Sequence, residues 1–123
     1  MNKATKTTTM AKLATRGLDV TRAGGLVLVD DGQTRWLAEE SEYDAAVAAL
    51  GEVAVSTEEM DAAERQDAEA QAYAELCDRV GGVVATNGGT SQGTAEELEA
   101  MVRRAVEAGL LTEDDSLVER YAA

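Results

Sequence analysis

An α+β domain is predicted by three observations. Short apolar segments separated by Gly24-Gly25 and Asp31-Gly32 predict a three-stranded antiparallel sheet near the N-terminus. Repeated capping residues followed by apolar positions at helical spacing predict about four helices covering it. One of those helices, rich in Ala, Glu, Asp and Gln, is expected to be long and acidic.

In order along the chain, residues 1 to 16 carry Lys3, Lys6, Lys12 and Arg16 with no acid among Thr and Ala, and are expected to form a basic, disordered tail. Residues 17 to 123 should then form a single domain. Leu18, Val20 and Arg22 alternate with Asp19 and Thr21, Leu26 to Val29 is an apolar run, and Thr34 to Ala38 reads as the third strand. Trp36 should lie on the covered face of this sheet, which spans residues 18 to 38.

Ser41, with Asp44 three residues on, should cap a helix over 42 to 50 bearing Tyr43, Val47 and Leu50, with Gly51 as its left-handed stop. Val53 to Val55 reads as a strand or an extended link. The long helix is expected from 57 to 80, ended by Gly81-Gly82. Projection at 100° per residue places Ala62, Gln66, Ala70, Tyr73, Leu76, Cys77 and Val80 on an apolar side. Asp61, Glu64, Asp67, Glu75 and Asp78 fall on the other. The second half is the more apolar, so its C-terminal turns should be the buried ones.

Val83 to Ala85 is a short strand candidate, and Asn87 to Gly93 should be a flexible loop. Thr94 with Glu97 forms a capping box, and Leu98, Met101, Val102, Ala105 and Val106 recur at amphipathic spacing, so a helix is expected over 94 to 108. Thr112 with Asp115 should cap a last helix at 113 to 121.

Composition limits the chemistry. The 123 residues include one cysteine and no His, Phe, Ile or Pro, so an intrachain disulfide and a Cys/His zinc site are both excluded. No apolar stretch has the length of a bilayer span or a secretory signal. A cytoplasmic protein without membrane contact is expected. Residues 19 to 123 hold 24 acids against seven arginines, a net of −17, a field that draws basic surfaces and repels nucleic acid.

Gly89-Thr90-Ser91-Gln92-Gly93 matches the nucleophile-elbow pattern between a strand and a helix. Serine attack needs a base, and the chain has no histidine and no lysine beyond Lys12, so the segment reads as a loop. The same loop feeds a helix N-terminus, but Glu96, Glu97 and Glu99 would repel a phosphate there. Asp30-Asp31, Glu39-Glu40, Glu58-Glu59 and Asp114-Asp115 sit at turns and helix starts where solvation is expected, which does not separate their pKa values for acid and base work. Asp30-Asp31-Gly32 also lacks the alternate-residue ligands of a calcium loop. Cys77 should be a buried, inert thiol. No catalytic residue, metal site or cofactor is expected.

The remaining feature is the acidic row Asp61, Glu64, Asp67, Glu75 and Asp78, whose successive charges stand roughly 4.5 to 12 Å apart along a helix axis, a range overlapping phosphate spacing. Such a row can occupy a groove that normally holds a nucleic-acid backbone. The expected function is a non-enzymatic acidic binding protein that inhibits a basic, nucleic-acid-handling protein by mimicking nucleic acid. In size, charge and absent chemistry the chain is similar to small phage inhibitors of host defence, such as anti-CRISPR and anti-restriction proteins. The alternatives are a homo-oligomeric structural or assembly protein, a homodimer paired through Leu98, Met101 and Val102 for instance, or a salt-adapted acidic protein with no mimicry.

Overall fold

The computed structural model describes residues 7–80, the backbone of 83–84, and residues 93–122. Its element order is β1 (Thr7–Thr9), α1 (Met10–Thr15), β2 (Asp19–Ala23), β3 (Leu26–Asp30), β4 (Arg35–Glu39), α2 (Glu40–Gly51), β5 (Ala54–Ser56), α3 (Ala62–Val80), β6 (Val83–Val84), α4 (Ala95–Glu107) and α5 (Ser116–Tyr121). The class is α+β, as expected. The predicted meander is present as β2-β3-β4, and β6 extends it by pairing antiparallel with β4.

The described residues fall into two compact units. The first comprises the described residues up to Arg16 together with Asp44–Arg79; the second comprises Gly17–Tyr43 with the described residues from Val80 onward. The cause lies in the segment read as a disordered tail. Its Thr7, Thr8 and Thr9 pair antiparallel with Ser56, Val55 and Ala54, which ties the start of the chain to its middle. The β-branched threonines suit a strand, and the Thr9 hydroxyl then accepts the Lys12 N–H at 3.2 Å to cap α1. Residues 1–6 and the expected loop over 87–92 lie outside the described residues.

In the first unit the buried apolar side chains are Leu13, Ala14, Ala46, Leu50, Ala72 and Leu76. Three of the six are alanines, so this unit buries little area per residue. α2 begins directly from β4, without the Ser41 cap, and runs through Gly51. Its end is tightened by N–H groups of Glu52 and Val53 bonding to the carbonyls of Ala49 and Leu50, which removes the need for a left-handed glycine.

In the second unit β2-β3-β4 is a fully paired meander with Trp36 opposite Val29 and Leu37 opposite Leu28. Both faces of β3 and β4 are buried, which explains the continuous apolar run of Leu26 to Val29. Leu26 and Leu37 pack on Leu98, Val102 and Ala105 of α4, with Leu111 and Leu117 completing the cluster. On the opposite face Trp36 meets Tyr43, the rings tilted by 53° with centroids 6.1 Å apart. α4 starts at the predicted capping box, with both the Thr94 and Glu97 halves formed.

Gly24 and Gly25, at φ +60° and +76°, make the two-residue turn between β2 and β3. A Cβ on Gly24 would stand 2.7 Å from the Ala108 Cβ, whereas one on Gly32, also at positive φ, would meet nothing within 4 Å. Gly24→Ala should therefore cost more than Gly32→Ala: about 2–4 kcal/mol against about 1 kcal/mol in chemical denaturation. Equal costs would mean that the α4 terminus yields freely.

α5 starts at Ser116 rather than 113, because Asp115 and not Thr112 is its cap, accepting the Leu117 N–H at 3.0 Å. The same carboxylate takes two hydrogen bonds from Arg35, at 2.7 and 2.9 Å. These bonds, with the Leu117 N–H, hold Asp115 below the usual carboxylate range despite its partial burial. Since the folded value lies below the unfolded one, the stabilisation is complete above the unfolded pKa and is lost as pH falls through the folded pKa. Asp115→Asn should cost about 1–3 kcal/mol at neutral pH. That gap should start to close below about pH 3.9, and a gap unchanged into strong acid would contradict the ionised pair.

Candidate functional site: the acidic face of α3

α3 begins five residues later than the sequence predicted. Residues 57 to 61 instead form a turn, closed by the Met60 N–H on the Thr57 carbonyl at 3.2 Å, and the Asp61 carboxylate accepts the Glu64 N–H at 2.8 Å. Asp61 outcompetes Ser56 and Thr57 as the cap because its charge also meets the positive end of the helix dipole. It is therefore occupied at the helix start and is not part of a helical row. From Ala62 to Val80 the helix is continuous.

Glu64, Asp67, Glu75 and Asp78 are all exposed and fall within about 80° of the helix circumference, at 100° per residue. Their axial separations are about 4.5, 12 and 4.5 Å, at 1.5 Å per residue, so the row is two close pairs bracketing the neutral Gln71. Arg79 approaches Glu75 at 3.9 Å, with both side chains about half exposed. A solvated i, i+4 pair of that length holds Glu75 loosely. Arg16 engages Glu69, which lies nearly in line with Leu76 and away from the acidic row, at 3.3 Å.

The buried side of α3 differs from the projection. Ala72, Leu76 and Val80 are buried, Tyr73 and Cys77 are half-buried, and Ala62, Gln66 and Ala70 are exposed. Relative to the expected orientation the helix is turned by roughly 60°, toward Arg65, which is half-buried. The buried side still lies roughly 140° around the helix from the acidic row, and as expected burial is concentrated in the C-terminal turns. Cys77 is in no disulfide and stands half-buried at the edge of the buried side, not within it as expected.

The paired acids have other occupations. The Asp30 carboxylate accepts the Gly32 N–H, and Asp31 accepts those of Gln33 and Thr34, each at 2.7 to 2.8 Å, so both close the β3–β4 turn. Glu39 pairs with Arg104 and Glu40 with Arg22. Among the described residues no group of three or more acids, Cys or His is placed to hold a metal ion. The Ser91 elbow pattern falls outside the described residues except for Gly93.

The apolar stripe considered for self-association is used within the second unit. Leu98 and Val102 are buried in its core and Met101 packs against them, because this stripe covers β3 and β4. Val53 is the one large apolar side chain classed as exposed among the described residues. No described helix is long and apolar enough to cross a membrane. No protein-family model, curated protein or solved structure matches the chain.

Proposed function

We propose that the protein is a non-enzymatic inhibitor that presents the acidic face of α3 to a basic, nucleic-acid-handling protein in the cytoplasm and occupies the groove where that partner holds a phosphate backbone. The observation that carries this reading is the exposure of Glu64, Asp67, Glu75 and Asp78 on one side of an uninterrupted helix. A helix holds carboxylates at fixed spacing before any partner arrives, so little ordering entropy is lost on docking. The net charge of −13 would speed encounter with a basic surface and disfavour direct binding of nucleic acid. Its biological class would be that of phage proteins that blunt host defence, anti-CRISPR and anti-restriction inhibitors among them.

Immobilised protein exposed to extract of its native host at low salt should retain a basic nucleic-acid-binding protein that elutes as salt rises. Retention that is indifferent to salt, or retention only of neutral and acidic proteins, would contradict the proposal.

A further inference from the structure

A second charged feature lies within the first unit and has the opposite sign. Lys12 and Arg16, from α1 and its C-terminal end, and Arg65 of α3 line one concavity of about 630 Å³ together with Thr7, Thr8 and Thr57. The chain has 24 acids and only 11 basic residues, yet three of the 11 converge here and no described carboxylate lines the cavity.

Arg65 is the informative member. Its Nε is buried and has no hydrogen-bond partner among the described residues. The acids one helical turn away on either side, which would ordinarily compensate it, are engaged elsewhere: Asp61 caps the helix and Glu69 pairs with Arg16. A buried N–H left without an acceptor carries an uncompensated desolvation cost. An anion in the cavity would remove it, because the charge is delocalised over the whole guanidinium.

We propose that this cavity is a binding site for a phosphate group. Cations arriving from two helices, with threonines of β1 beside them, suit a tetrahedral oxyanion with several acceptor oxygens better than a planar carboxylate, which one arginine fork satisfies. The volume exceeds that of a bare ion and falls in the range of small-ligand sites, so a phosphomonoester of a small molecule also fits. The site is independent of the acidic face, which lies on a different side of α3, and either reading can fail alone.

The test is a ¹H–¹⁵N NMR titration of the full chain with inorganic phosphate, and separately with ribose 5-phosphate, at constant pH and about 0.1 M neutral salt so that the overall negative charge is screened. Saturable shifts are expected at Thr7, Thr8, Lys12, Arg16 and Thr57 and at the Nε–H of Arg65. Equal affinity for the two ligands identifies the free oxyanion as the determinant, and tighter binding of ribose 5-phosphate identifies a phosphomonoester. Arg65→Gln should weaken binding about tenfold or more, and Lys12→Gln, at an exposed side chain, by about threefold or more. Arg103→Gln, in the other unit, should leave it unchanged. If Arg65→Gln does not fold, Lys12→Gln decides. Absence of saturable shifts for both ligands, or equal weakening by Arg103→Gln, would overturn the proposal.

Discussion

Trp36→Ala is expected to destabilise the second unit by about 3–5 kcal/mol, the range for removing a large aromatic side chain from a packed interior. Trp36 is 2 % exposed, stands opposite Val29 in the sheet and meets Tyr43 ring to ring. The chain has no Phe or Ile, and packed interiors relax only in part, so the void is not refilled. Arg22 lies 5.6 Å from the Tyr43 ring centroid on β2, so loss of the tryptophan should also loosen that cation–π contact. Chemical denaturation followed by far-ultraviolet circular dichroism measures the effect. A cost under about 1 kcal/mol would mean that this face of the sheet is not a packed interior.

The combined reversal Glu64→Lys, Asp67→Lys and Glu75→Lys should weaken partner binding about a hundredfold or more while leaving the fold intact. All three side chains are exposed, and Lys is close to Glu in helix propensity. The folding cost is limited to a first-turn dipole interaction at Glu64 and the loose Glu75–Arg79 pair, together about 1–1.5 kcal/mol. Binding loses three attractive contacts and gains three repulsive ones. Each reversal changes the charge by two, taking the net from −13 to −7, so a variant of equal net charge is the necessary control. Asp19→Lys, Glu96→Lys and Glu119→Lys, all exposed in the second unit, make the same change away from α3. If both triple variants lose affinity equally, net charge acts and the helix face does not. That outcome would favour a merely salt-adapted surface.

Much of the fold was legible because several local signals agreed. The meander had two turn signals in register with its apolar segments, and α4 combined a capping box with an unbroken stripe, so both were located to within a residue or two. Where signals competed or were faint, the reading failed. Ser56, Thr57 and Asp61 all could cap α3, and only the competition among them in the fold selects Asp61. An alanine-rich helix also has little to fix its rotation, since Ala62, Ala70 and Ala72 are interchangeable until Leu76 and Val80 are seated. The first sixteen residues looked like a tail because they lack acids, although three β-branched threonines followed by a cap residue and Leu13 were a readable strand-to-helix signal. The cationic cavity was not legible at all. Its members come from positions 7 to 16, 57 and 65, and only the pairing of β1 with β5 shows that these segments share one unit.

Competition with duplex DNA for the captured partner tests the central claim most directly. If α3 occupies the partner's phosphate-binding groove, DNA and this protein should exclude each other, with the apparent affinity for one falling in proportion to the concentration of the other. A stable ternary complex, with the protein bound as tightly in saturating DNA as in its absence, would contradict the claim.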